Sequence, residues 1–296
     1  MRVSLALAGV PVEKVTAYDT SPLCNTTYRY NFPDCDVRSK LVEQLVAADV
    51  EGVDLWTMSP PCQPHTATKA ANQLDSSDSR SAGLKHLISL LKALTSPPKW
   101  IFLENVKGFH GSDMQNALLA ALKERSYSWQ QFLVSPVQVG VPNNRKRFYL
   151  LCERSERFRG DEATLFNEFP DRSSEAEVKV ECLNKYIIEP PMEDGLQTEE
   201  FYLSSSLLAK PWARGLSVVS PSDRITFCFT GSYGKVFHKS SGSLLYTAGA
   251  AALADEPLDR SDMTAYVGAI RSVPAPAAPS SAEHLRATRC GFPQPP

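Results

Sequence analysis

No two of the seven cysteines are spaced as a metal-type C-x-x-C pair, and they lie scattered along 296 residues. A zinc ribbon and a disulfide framework are therefore excluded, and a reducing compartment is expected, the cytoplasm and also the nucleus. No apolar run approaches the ~20 residues of a membrane span, so no membrane partner is expected. The opening MRVSLALAGVPV lacks a convincing small-residue cleavage site and runs into charged, patterned sequence, so it does not read as a signal peptide. Charge of one sign is lacking too: 31 Lys+Arg against 33 Asp+Glu give a net −2. That balance rules out a strongly basic nucleic-acid coat but leaves room for a local basic patch. What remains, 43% hydrophobic and 22% charged residues, is the composition of a folded globular protein.

Short apolar runs alternate with helical spacing through the first half. Val15–Tyr18, Val53–Met58, Trp100–Leu103, Trp129–Val134 and Arg147–Cys152 read as strands, while Gly83–Leu94 and Met114–Leu122 read as helices. This alternation predicts an α/β fold with a parallel sheet, whose chemistry sits in loops after the carboxyl ends of strands. The pattern loosens past residue 155. Residues 1–155 are expected to form a catalytic domain and 156–250 a smaller second domain, with ribbon-like sequence over Ile225–Tyr246. An irregular, disordered tail is expected from 251, since Pro and Ala dominate 273–296 and cannot bury enough surface to offset chain entropy.

Two loops carry the chemistry. Cys62 follows Pro60-Pro61 directly after a strand, so its thiol is presented on a stretch with two fixed φ angles and two missing donors. A buried, inert thiol is the plain alternative, but the rigid polar setting favours a nucleophile. No histidine has Cys-protease surroundings, and Thr68 excludes a Cys-x5-Arg phosphatase loop. Glu104 closes the run Trp100–Leu103, where a carboxylate costs desolvation energy unless it has a partner. It is either a turn cap or an acid for a heteroaromatic ring. Arg145 and Arg147 alternate within Asn143–Arg147, either as a solvated charge run or as one face that binds a base or a phosphate.

The order Ser59-Pro60-Pro61-Cys62-Gln63-Pro64, Leu103-Glu104-Asn105-Val106, Pro142-Asn143-Asn144-Arg145-Lys146-Arg147 resembles the cytosine-5 methyltransferase superfamily. Cys228-Phe229-Thr230 with Tyr233 and Gly242-Ser243 resembles its branch of tRNA (aspartate) cytosine-5 methyltransferases that look like DNA methyltransferases. The resemblance spans about 1–250 and implies a Rossmann-like sheet with a small target-recognition domain at 156–250. It implies S-adenosylmethionine as cofactor and tRNA as partner, with DNA the alternative. Cys62 would attack C6 of cytosine, Glu104 would hold N3 and the exocyclic amine, and Arg145 and Arg147 would orient the base. Asp19 would bind the ribose hydroxyls, Val42 and Glu43 would line the adenine, and Ser59 would lie by the methionine end. No metal is implied.

The chain departs from that family at both ends. It begins just beyond the family's first strand and glycine-rich turn, and the Pro/Ala tail stands where a closing segment is expected. From this the chain as written is expected to be poorly stable and to bind S-adenosylmethionine weakly. A non-catalytic RNA-binding remnant is therefore a rival to the enzyme.

Overall fold

Alternating burial along the two longest paired strands frames the fold. The computed structural model describes residues 2–61, 79–168, 178–187, 202–227, 242–248, 253 and 255–271. They pack as two units, one holding 2–133 and 147–168, the other 134–146 and the described residues from 178 to 271. The packing thus divides the chain at 133 and 147, and not at 155: residues 156–168 stay with the first unit.

The first unit contains α1 (Arg2–Leu7), β1 (Thr16–Tyr18), α2 (Pro22–Asn31), β2 (Asp36–Arg38), α3 (Ala47–Val50) and β3 (Leu55–Met58). It continues with α4 (Ala82–Ala93), β4 (Trp100–Val106), α5 (Asp113–Glu124), β5 (Ser128–Val134), β6 (Arg147–Glu153) and β7 (Leu165–Phe166). The main sheet has the order β3-β4-β6-β5-β7. β3 runs parallel to β4 and β5 to β7, but β6 is antiparallel to β4. The sheet is mixed, which corrects the expected all-parallel one. A parallel neighbour needs a long crossover, usually a helix, and the connection from β5 to β6 holds only a 3₁₀ turn at Pro136–Val139. β1 and β2 pair in parallel as a separate two-stranded ribbon.

β4 and β6 each place alternate residues on opposite faces. One face turns Ile101, Leu103, Phe148 and Leu150 into the core, each 2% exposed or less. There they join Leu84 and Leu91 of α4 and Met114, Leu118 and Leu122 of α5. Each such side chain contributes about 1.5–3 kcal/mol by burial. α2 was hidden by its polar composition. It forms because Ser21 accepts from the Cys24 N–H at 3.3 Å as N-cap and Pro22 opens its first turn.

The second unit contains α6 (Ser205–Leu208), β8 (Val218–Val219), β9 (Leu244–Tyr246) and β10 (Ile270–Arg271). β9 is the central strand, parallel to β8 and antiparallel to β10. Leu203, Leu208, Leu216, Leu244, Met263 and Ile270 form its own core. The expected tail from 251 is thereby corrected for residues 255–271. Met263 and Ile270 supply the apolar side chains that the Pro/Ala run lacks, and Ile270 is fully buried. The Pro/Ala run 273–296 and most of the expected ribbon within Ile225–Tyr246 lie outside the described residues. Among the described residues no helix is long and apolar enough to cross a membrane.

Candidate active site

Glu104 does not close a strand; it lies within β4, three residues before the start of the following 3₁₀ turn. The register pairs Glu104 with Tyr149 and Val106 with Arg147. Glu104 and Arg147 are therefore diagonal neighbours on one face, where an opposite-charge pair is stabilising. Arg147 Nε stands 3.2 Å from Glu104 Oε1, with the side chains 18% and 31% exposed. Phe102 and Tyr149 line the same face, their ring centroids 5.8 Å apart. The result is a charged pair set beside aromatic walls, open enough for a ligand to reach the carboxylate.

Asn105 turns the other way and is 2% exposed. Its Nδ2 donates to the Pro60 carbonyl at 3.4 Å, and its Oδ1 accepts from the Val106 N–H at 2.8 Å. The amide thus ties the end of β4 to the loop that leads, two residues later, to Cys62. Parallel pairing of Met58 with Leu103 sets the carboxyl ends of β3 and β4 side by side. Cys62 itself lies outside the described residues. Asn105 and Tyr149 were not singled out by sequence reasoning. Asn105 could have been found as the motif residue whose side chain must bury, and Tyr149 as the next outward position after Arg147.

Arg147 opens β6, whereas Arg145 precedes the strand and belongs to the second unit. Its backbone N–H donates to Ser135 Oγ at 3.0 Å, which pins the turn that carries it. Asn144 bridges to Phe227 in the same unit. Glu104 and Arg147 are thus brought together on one sheet, while Arg145 is set by a different unit.

The residues assigned to the cofactor lie in the first unit, after strands. Asp19 directly follows β1 and is exposed; its Oδ1 accepts from the Ser21 N–H at 2.7 Å, and its backbone carbonyl accepts from Asn25 Nδ2 at 2.9 Å. Val42 and Glu43 form a 3₁₀ turn against the start of α4. A Cβ at Gly83 would stand 3.6 Å from Glu43 Oε1 and 3.7 Å from Val42, so the turn sits close on the helix there. His86 Nε2 bonds the Leu45 carbonyl at 2.8 Å and holds the same turn. Ser59 is exposed directly after β3. An exposed carboxylate, a half-buried valine, a second carboxylate and a hydroxyl fit the ribose, the base and the amino-acid end of a nucleoside such as S-adenosylmethionine. Among the described residues no group of His, Cys, Asp or Glu could hold a metal ion.

The model of the C-5 cytosine-specific DNA methylase family matches residues 1–214. The tRNA (cytosine(38)-C(5))-methyltransferase of Bos taurus is 28% identical over 83% of this chain and 75% of its own length. That of Schizosaccharomyces pombe is 30% identical over 83% of this chain and 71% of its own. The crystal structure of the S. pombe Dnmt2 methyltransferase superposes with a TM-score of 0.70 at 25% identity, covering 92% of this chain and 79% of that one. Its fold, its motifs and a family match over most of its length place this chain in the C-5 cytosine-specific DNA methylase family, cytosine-5 methyltransferases that use S-adenosylmethionine.

Proposed function

We propose that the chain methylates C5 of a cytosine in the anticodon loop of a tRNA, with aspartate tRNA as substrate, through a covalent bond between Cys62 and C6. The observation that carries this is the Glu104–Arg147 pair on β4–β6, adjoined by the Asn105 amide that holds the loop leading to Cys62. Cytosine C5 is too weak a nucleophile on its own. Attack of the Cys62 thiolate on C6, with a proton delivered to N3 through Glu104, converts C5 into an enamine carbon. Arg147 keeps the Glu104 carboxylate aimed outward, and Arg145 orients the base. Bound S-adenosylmethionine supplies the electrophilic methyl group, held by Asp19 at the ribose, Val42 and Glu43 at the adenine and Ser59 at the methionine end. A base then takes the C5 proton and N3 returns its proton to Glu104, so the C5–C6 double bond re-forms as the Cys62 thiolate leaves.

The relatives' names favour RNA over DNA, and physical cost agrees. A base must leave its stack to reach such a pocket, which costs a few kcal/mol in a duplex and less in an unpaired loop. A free thiol nucleophile also fits the reducing compartment of the cytoplasm or nucleus.

The test is methyl transfer from labelled S-adenosylmethionine to tRNA and to duplex DNA, with a covalent trap on RNA containing 5-fluorocytosine, whose C5 fluorine cannot leave. Wild-type chain should label the anticodon loop and form the adduct, and Cys62→Ala should do neither. An adduct that persists in Cys62→Ala, or labelling of duplex DNA alone, overturns the reading.

A further inference from the structure

Two hydroxyls of the second unit close on the turn Pro142-Asn143-Asn144-Arg145, and the chemistry above gives neither a role. Ser135 Oγ donates to the Asn143 carbonyl at 3.3 Å and accepts from the Arg145 N–H at 3.0 Å. A hydroxyl can do both at one atom, which an amine, a carboxylate or an apolar group cannot. Thr226 Oγ1 donates to the Pro142 carbonyl at 2.7 Å. The Thr226 carbonyl accepts from the Asn144 N–H at 2.8 Å. Every residue of the turn is thus bonded to Ser135 or to Thr226.

Neither hydroxyl is needed to satisfy the backbone it touches. The Arg145 N–H also reaches the Asn143 carbonyl at 3.1 Å, and the Pro142 carbonyl already accepts from the Thr226 N–H at 2.8 Å. Each hydroxyl is a second partner, and a second partner fixes direction. The turn also keeps Asn143 Oδ1 buried without a hydrogen-bond partner. Such an orphan is costly, and a turn at liberty to relax would rotate that amide into water. Its conformation is therefore imposed, as backbone that presents a functional side chain commonly is.

Both hydroxyls stand on held backbone. Ser135 is buried, its N–H donates to Gln138 Oε1 at 2.7 Å, and its carbonyl accepts from the Gln138 N–H at 3.0 Å. After Thr226, the Phe227 N–H donates to Ser243 Oγ at 3.0 Å, and the buried Ser243 directly precedes β9. Resting on the reading that Arg145 orients the base, we infer that Ser135 and Thr226 are positioning residues of the methyl transfer. Their hydroxyls hold the turn in the one backbone conformation that presents Arg145 to the cytosine, so that binding bears no cost of ordering it. They touch no substrate and act through Arg145.

The experiment measures kcat and KM of the full chain with labelled S-adenosylmethionine and a stem-loop RNA carrying the target cytosine. Ser135→Ala and Thr226→Val each remove one hydroxyl and leave the Pro142 and Asn143 carbonyls and the Arg145 N–H with a partner. Each should lower kcat/KM for the RNA about 10–100-fold, the effect of displacing a positioned group by about 1 Å. KM for S-adenosylmethionine should not move, since the residues assigned to it lie in the first unit. Thr226→Ser keeps the donor and should keep the wild-type values. In an Arg145→Ala background neither Ser135→Ala nor Thr226→Val should cost anything further, the mark of changes that act through one side chain. Wild-type kcat/KM in Ser135→Ala or Thr226→Val, an equal loss in Thr226→Ser, or a loss that persists in the Arg145→Ala background overturns the inference. Wild-type kcat/KM in Arg145→Ala overturns instead the base-orienting role on which it rests.

Discussion

The pair β4–β6 and the ribbon β1–β2 both lie in the first unit and both position functional residues, yet they are held by different forces. β4 and β6 pair over seven residues, and one whole face is buried against α4 and α5. β1 and β2 pair over three, with no fully buried position in β1. The ribbon relies on polar ties. Tyr18 Oη donates to the Asp49 carbonyl at 3.2 Å, Lys40 Nζ pairs with Asp49 Oδ2 at 2.5 Å, and Arg29 donates to the Val37 carbonyl at 2.7 Å. Glu104 and Arg147 thus rest on a hydrophobic sheet, and Asp19 rests on a half-buried ribbon tied by hydrogen bonds. Stability and chemistry are separable in the first and joined to local electrostatics in the second.

Glu104→Gln tests that separation most severely. The variant keeps shape and packing but cannot share a proton, so turnover should fall about 10²–10⁴-fold while the urea midpoint stays in place. Wild-type turnover would reduce Glu104 to a structural partner of Arg147. Phe148→Ala probes the other face of the same pair. It removes a fully buried ring that meets Phe109 at 5.6 Å, and should cost about 3–5 kcal/mol in equilibrium unfolding. A loss below about 1 kcal/mol would show that burial does not hold this sheet.

The smallest effect belongs to the ribbon. Lys40 beside Asp49 holds its carboxyl below the usual carboxylate range. The tie is therefore intact at neutral pH and is lost as pH falls below about 4, through the lowered value. Amide exchange in β1–β2 should quicken there before it does in β4–β6, and Lys40→Met should produce the same local change at neutral pH. Equal protection of the two regions under both conditions would erase the distinction.

Legibility in the sequence followed the same line. Apolar runs reveal β3, β4, β5, β6, α4 and α5, and also the ribbon strand β1 within Val15–Tyr18, because burial writes a period into the residues. The helix α2 beside the ribbon is not legible, since PLCNTTYRYN has no apolar stripe and depends on the Ser21 cap. The direction of β6 was not legible either. Pairing direction depends on how the chain returns from 134–146, which no periodicity records. The motif ENV was found for its carboxylate, but the inward task of Asn105 appears only when the alternation is seen in three dimensions.

That alternation has a consequence for how this gene can change. Glu104 and Asn105 are adjacent in the chain and serve opposite sides of one sheet, so their roles are assigned by parity of position. Loss or gain of a single codon between Trp100 and Glu104, with the frame preserved, would exchange inside and outside for the residues that follow. A carboxylate would be driven into the core, and the amide that tethers the cysteine loop would be turned out to solvent. Point changes along β4 can be graded in severity, but length changes cannot.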